Sequence, residues 1–191
     1  MPRHEADHLC PPWIGCFLAD NPLRRLLYTP RSLLAGLVSE GMTVVEPGPG
    51  MGFFSLEMAR LAGPGGRVIA VDVQPKMLES LRRRAGRAAL LDRMELRLSD
   101  GKSLGIRDLA GKVDFALAFA MVHEVRDPAK FFVEIAEALT PGGKVLFSEP
   151  AWHVAEELFR RELDAATAAG LVVESRPSIR ISRSALLLKS A

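Results

Sequence analysis

The chain has 191 residues, 48% hydrophobic and 25% charged, which fits one globular domain long enough to bury a core under a multi-stranded sheet. Its 25 Lys and Arg against 23 Asp and Glu leave a net charge of +2, and aromatics reach 6%, so neither charge nor stacking points to nucleic acid. The longest apolar run, 115–122, is far short of a membrane span.

Residues 1–40 are dense in proline and hold both cysteines, Cys10 and Cys16, a pattern that predicts short helical pieces between turns. No apolar stretch follows the charged N-terminus, and two cysteines make no disulfide framework; the expectation is a cytoplasmic chain with reduced thiols. Asn21-Pro22 opens one helix, with Leu23, Leu26 and Leu27 as its apolar stripe. A second is expected over 30–39, with Pro30 in its first turn. From Met42 the texture becomes regular. A strand at 43–46 meets a glycine-rich turn, and a helix over 53–61 stops at Gly63-Pro64-Gly65-Gly66. A strand at 67–72 leads to a long helix over 75–91, then strands at 94–98 and 113–119. Asp127 caps and Pro128 opens a helix through 139, ended by Pro141-Gly142-Gly143. A fifth strand follows at 144–148, a helix at 154–169, and two further strands at 171–174 and 179–188. Strands alternating with helices of this length make βαβ units, hence an α/β fold with a mostly parallel sheet. The last two strands are too closely connected to be parallel and must pair antiparallel. The expected organisation is one domain, 1–191, with residues 1–40 as an N-terminal helical cap or lid on a core of 41–191.

The turn after the first strand carries Glu46, Gly48, Gly50 and Gly52 in an E-x-G-x-G-x-G pattern. Ligands of open α/β sheets bind at the carboxyl ends of the strands, and glycine lets the backbone approach them closely. Asp72 closes the second strand, where a carboxylate can accept both hydroxyls of a ribose. A dinucleotide motif needs a small residue at position 53 and a site free of negative charge; Phe53 and Glu46 supply neither. An acid beside the ligand favours a cationic, amino-acid-bearing nucleoside, the description of S-adenosylmethionine.

With these segments, and with Val71-Asp72-Val73-Gln74-Pro75-Lys76-Met77, Ser99-Asp100-Gly101 and Leu139-Thr140-Pro141-Gly142-Gly143, the sequence resembles the class I (Rossmann-like) S-adenosylmethionine-dependent methyltransferases over 41–143, and more loosely in the tail. The resemblance implies a three-layer sandwich around a seven-stranded sheet with an antiparallel last strand. It implies S-adenosylmethionine as cofactor and S-adenosylhomocysteine as product. Glu46 and the Gly48, Gly50 and Gly52 loop would hold the methionyl part, and Asp72 the ribose. Val73 and Met77 would face the adenine, Asp100 with Gly101 its amino group, and backbone at Phe119 and Ala120 the methyl side. The competing role for Asp100, before Gly101, is capping of its own turn.

Acceptor chemistry falls to the ends of strands four and five, where His123, Glu124, Glu149 and His153 could converge. Histidine suits proton transfer near neutral pH, so His123 with Glu124 is the catalytic candidate; the competing role is structural hydrogen bonding. The Asn/Asp-Pro-Pro-aromatic signature of base-amino methyltransferases is absent, and Arg82, Arg83, Arg84, Arg87 and Arg93 read as a solvated face. His4, His8, Cys10 and Cys16 lack the usual zinc spacing, so no metal is expected. Trp13 and Phe17 suit a lid. The expected activity is methyl transfer to a small molecule by a monomer or homodimer that meets no membrane. The alternatives are an RNA or protein methyltransferase, or a non-catalytic cofactor-binding partner subunit.

Overall fold

The structure is a computed structural model and describes residues 28–190. The expectations for the Asn21-Pro22 helix, for Trp13 and Phe17, and for the His4, His8, Cys10 and Cys16 set lie outside the described residues. Seven strands, β1 (Thr43–Pro47), β2 (Arg67–Asp72), β3 (Met94–Leu98), β4 (Val113–Phe119), β5 (Leu139–Pro150), β6 (Leu171–Ser175) and β7 (Ser182–Lys189), form one sheet in the order β3-β2-β1-β4-β5-β7-β6. Pairings are parallel from β3 through β5, and β7 runs antiparallel between β5 and β6. The order turns back between β1 and β4, and such a switch point opens a crevice at the carboxyl ends of the strands.

Helices cover both faces, as they must where a parallel sheet presents apolar side chains on each side. α1 (Pro30–Leu34) and α2 (Ser55–Leu61) cover one face, where Leu34, Phe54, Met58 and Ala59 pack on Val44, Phe115, Leu117 and Leu146. α4 (Pro128–Ala138) and α5 (Glu156–Ala168) cover the other, where Phe132, Ile135, Phe159 and Leu163 pack on Val45, Ala118, Val145 and Phe147. α3 (Pro75–Arg87) lies between them in sequence and packs on β2 and β3. The Phe147 and Phe159 rings stack 4.9 Å apart, which fixes the register of α5 on β5.

The bounds of β2, β3 and β4 match the sequence reading, and Asp127 caps α4 through its side chain, which accepts the Lys130 N–H at 3.0 Å. Several ends differ. α1 stops at Leu34 and breaks into turns through Gly36, where φ is +77°. α3 stops at Arg87 because Ala89 takes a left-handed φ of 54° and lets Leu90 bond back to Ala85. The fifth strand starts at Leu139 rather than Lys144: Leu139 pairs with Val113 and Lys144 with Phe115, so 140–143 bulge out of a continuing ladder. Gly143 is required there, since a Cβ would lie 2.9 Å from the Thr140 carbonyl and 3.0 Å from that of Val113. β7 starts at Ser182, after a turn in which Ile181 has φ 54°. No helix among the described residues is long and apolar enough to cross a membrane.

Candidate active site

β1 and β2 deliver one half of the site. Glu46 is buried near the end of β1, and Ser55, at the start of α2, donates its hydroxyl to Glu46 Oε2. The loop between them turns tightly, with Gly48 N–H bonding Val71 at 2.8 Å and Gly52 N–H bonding Pro49 at 3.0 Å. Gly50 has φ +54°, and a Cβ there would meet no atom of the described residues within 4 Å, so its backbone faces space that they leave open. Asp72, at the end of β2, accepts the Gln74 N–H at 2.8 Å, and the Gly50 and Val73 N–H groups also bond it. Burial pushes the Asp72 carboxyl up to about 6 against those donors, and the charge of Glu124 adds to the push. Such a group gains by accepting further hydroxyl donors.

Around this pair lie the flanking residues expected from sequence. Met77 is buried with Met51 in a two-residue apolar cluster of its own. Gly101 comes within 3.6 Å of Val73, measured from where its Cβ would stand. Asp100 is exposed and caps its own turn, accepting from Lys102 at 2.8 Å and Ser103 at 3.3 Å; these bonds hold its carboxyl below the usual range. The turn-capping role is therefore the observed one. Ala120 ends β4 with φ 56°, unusual for a residue with a side chain, and its N–H bonds Ser148 at 2.7 Å. A buried acid beside a glycine loop, with a second buried acid at the next strand end, fits a nucleoside that carries an ammonium and a sulfonium.

β4 and β5 deliver the other half. Strand alternation sends Val145, Phe147 and Glu149 toward α5, so Glu149 is fully buried at 0% exposure. Its Oε1 accepts the Val122 N–H at 2.7 Å and the His123 N–H at 3.3 Å, while Oε2 meets His123 Nδ1 at 2.6 Å. With Nδ1 so engaged, Nε2 is the ring nitrogen left for a reacting group; it lies 3.9 Å from Glu124. The His123 side chain is 12% exposed, a recess rather than a surface. Burial pulls its pKa down, but the bond and charge of Glu149 outweigh this, helped by Glu124 and Glu162, and the net shift is upward. His153 packs edge-on to His123 with centroids 5.0 Å apart. Arg183 from β7 holds that segment by donating to the carbonyls of Ala151 at 2.9 Å and Val154 at 2.8 Å. Among the described residues no three of these acids and histidines come together as a metal site would require.

All four acceptor-side candidates therefore converge. Of the arginines expected on a solvated face, Arg82, Arg83 and Arg87 are exposed on α3, whereas Arg84 and Arg93 are half-buried and Arg93 donates to the Ala59 carbonyl at 3.5 Å. Sequence reasoning missed two residues. Tyr28 lies edge-on to Phe119 at 5.2 Å and bonds Ser182 at 3.0 Å. Glu162 on α5 is buried behind Glu149; its one signal was a charge on the stripe of Phe159, Leu163 and Ala166.

Residues 45–147 match the family model described as a methyltransferase domain. A protein-L-isoaspartate O-methyltransferase of Methanothrix thermoacetophila is 31% identical over 144 residues, 75% of this chain and 58% of that protein. An arsenite methyltransferase of Halobacterium salinarum is 29% identical over 112 residues, 59% of this chain and 28% of that protein. The chain spans between 28% and 58% of the length of the curated relatives it matches. The crystal structure of an S-adenosylmethionine-dependent methyltransferase from Aquifex aeolicus superposes with a TM-score of 0.83 at 22% identity, over 95% of this chain and 100% of that one. With that domain match joined to the strand order and the glycine loop, the chain belongs to the class I S-adenosylmethionine-dependent methyltransferase family.

Proposed function

We propose that the chain transfers the methyl group of S-adenosylmethionine to a small-molecule acceptor. When bound, the cofactor supplies an electrophilic methyl group on a sulfonium. Glu46 and the Gly48, Gly50 and Gly52 loop hold its amino-acid end, where the buried carboxylate matches a positive charge. Asp72 accepts the ribose hydroxyls. Val73, Met77 and Gly101 flank the adenine, Asp100 receives its amino group with the oxygen that the turn leaves over, and Ala120 backbone lines the methyl side.

His123 acts as the base. Its Nε2 takes the proton that the acceptor atom loses as it gains the methyl group, and Glu149 holds the ring by Nδ1 in the tautomer this requires. Glu124 stabilises the imidazolium that results. The single observation that carries this reading is the half-buried imidazole, fixed by a fully buried glutamate at the carboxyl ends of β4 and β5. The low exposure of the imidazole, 12%, shields the transfer from water. Trp152, 69% exposed beside His153, offers the acceptor an apolar rim.

Calorimetry with S-adenosylmethionine, S-adenosylhomocysteine and NAD tests the cofactor, and the first two alone are expected to bind. Formation of S-adenosylhomocysteine is then followed against panels of metabolites, arsenite, an isoaspartyl peptide and RNA. Turnover with small molecules supports the proposal. Turnover with RNA or peptide alone overturns the acceptor class, and binding without turnover on any panel leaves a cofactor-binding partner subunit.

A further inference from the structure

Glu162 is 2% exposed, and neither of its carboxyl oxygens has a hydrogen-bond partner among the described residues. Buried polar groups are nearly always paired, and an unpaired buried carboxylate is costly enough that it titrates instead. Its position is not accidental to the site. On α5 it follows Phe159 by three residues and precedes Leu163 by one, both buried in the core beneath the sheet. The Phe147 and Phe159 stack sets that stretch of helix against β5, and alternation on β5 turns Glu149 toward the same helix. α5 also packs against the turn of Val122–Glu124.

We propose that Glu162 is a positioning residue for the proposed transfer: a buried acid whose charge state is coupled through space to the Glu149–His123 pair and sets the proton affinity of the imidazole. This rests on the reading of His123 as the base. The groups that face Glu162 are Glu149 from β5, His123 from the turn after β4, and Arg161 from its own helix; Glu124 and His153 complete the surroundings of the imidazole. Burial first, then the charge of Glu149, pushes the Glu162 carboxyl up to about 7, while His123 and Arg161 oppose this. The coupling is reciprocal. An ionised Glu162 strengthens the hold of His123 on a proton, and a protonated His123 eases the ionisation of Glu162.

The test is a pH titration by nuclear magnetic resonance of the full chain, carbon-labelled at glutamate Cδ and histidine Cε1, with Glu162 assigned through its own backbone. In the wild type the Glu162 carboxyl is expected to titrate near 7 rather than near 4.5. In Glu162→Gln the His123 midpoint is expected to fall by about half a pH unit or more, a threefold loss of proton affinity, and the acid limb of the rate profile should follow it. A Glu162 midpoint in the ordinary carboxyl range overturns the proposal, and so does a His123 midpoint that Glu162→Gln leaves in place. If that variant fails to fold, the wild-type Glu162 titration decides. Cofactor binding by the same samples separates the two readings: binding with an unmoved His123 sinks this inference alone, and a moved His123 without binding sinks the functional reading alone.

Discussion

The two halves of the crevice bury acids in opposite ways. At the β1–β2 end, Glu46 and Asp72 each have donors aimed at them, Ser55 for one and backbone N–H groups for the other, and the space beyond Gly50 is open. At the β4–β5 end, Glu149 uses both oxygens on Val122 and His123, and Glu162 has no hydrogen-bond partner among the described residues. A carboxylate met by N–H donors and left facing open space is a receptor for hydroxyls or a cation. A carboxyl group without donors is kept for the proton it can hold. Under the proposed function one half of the sheet edge binds and the other moves a proton, although both are made of strand-end acids.

The sharpest way to break this division is to block one half and watch the other. Gly50→Arg fills the open space at a left-handed position and should weaken S-adenosylmethionine binding by more than about 100-fold in calorimetry. The His123 titration should stay where it is, and loss of both together would merge the two halves into one unit. In the reverse experiment, His123→Ala should lower kcat by about 100- to 10,000-fold while the dissociation constant of the cofactor changes less than about twofold. A kcat loss below about tenfold would hand the proton to solvent and take the base out of the mechanism.

Asp72 gives a smaller effect with a definite sign. Burial pushes its carboxyl up to about 6, and in the proposed complex ribose hydroxyls bind the ionised form, so cofactor affinity should be flat above that pH. Below it affinity should weaken by up to about tenfold per pH unit. Asp72→Asn should cost about 10- to 100-fold in affinity at pH 8 and abolish the pH dependence. An unchanged slope in that variant would place the titrating group elsewhere.

The binding half was legible in the sequence because its parts are local. Glu46, Gly48, Gly50 and Gly52 lie in one turn, and Asp72 ends the next buried run of β-branched residues, so spacing alone brings them to the same edge. The proton-handling half was legible only as a set of strand-end candidates. That Glu149, rather than Glu124, grips His123 Nδ1 depends on alternation along β5, which places Glu149 beside the turn at Val122, 27 positions earlier in the chain. Glu162 lay hidden among Glu156, Glu157, Arg160, Arg161 and Asp164, in a helix where charge is the rule. Helix and strand ends failed where tertiary pairing overrode local signals. Ala89 turns left-handed with no glycine to announce it, and the ladder between β4 and β5 continues across a Pro-Gly-Gly stretch that alone reads as a break.

The smallest expected effect separates the two kinds of buried acid by stability. Asp72 and Glu162 both have folded values raised above their ordinary ones, so the unfolded chain releases each proton first. Stability therefore falls as pH rises from 3.8 to about 6 for Asp72 and from 4.5 to about 7 for Glu162, and is flat above. His123, raised as well, stabilises the fold below its ordinary value and loses that contribution as pH climbs through its folded one. Glu162→Met removes one contribution and fills similar volume with an apolar group, which for a buried unpaired acid is worth about 1–3 kcal/mol at pH 8. The melting temperature should rise by a few degrees at pH 8, and by less at pH 5, where the wild-type carboxyl is already largely neutral. Cofactor saturation should shift both proteins equally at each pH, because the ligand engages Asp72 and leaves Glu162 untouched. An equal gain from Glu162→Met at both pH values would mean that Glu162 is buried for packing alone, and would return the proton entirely to the His123–Glu149 pair.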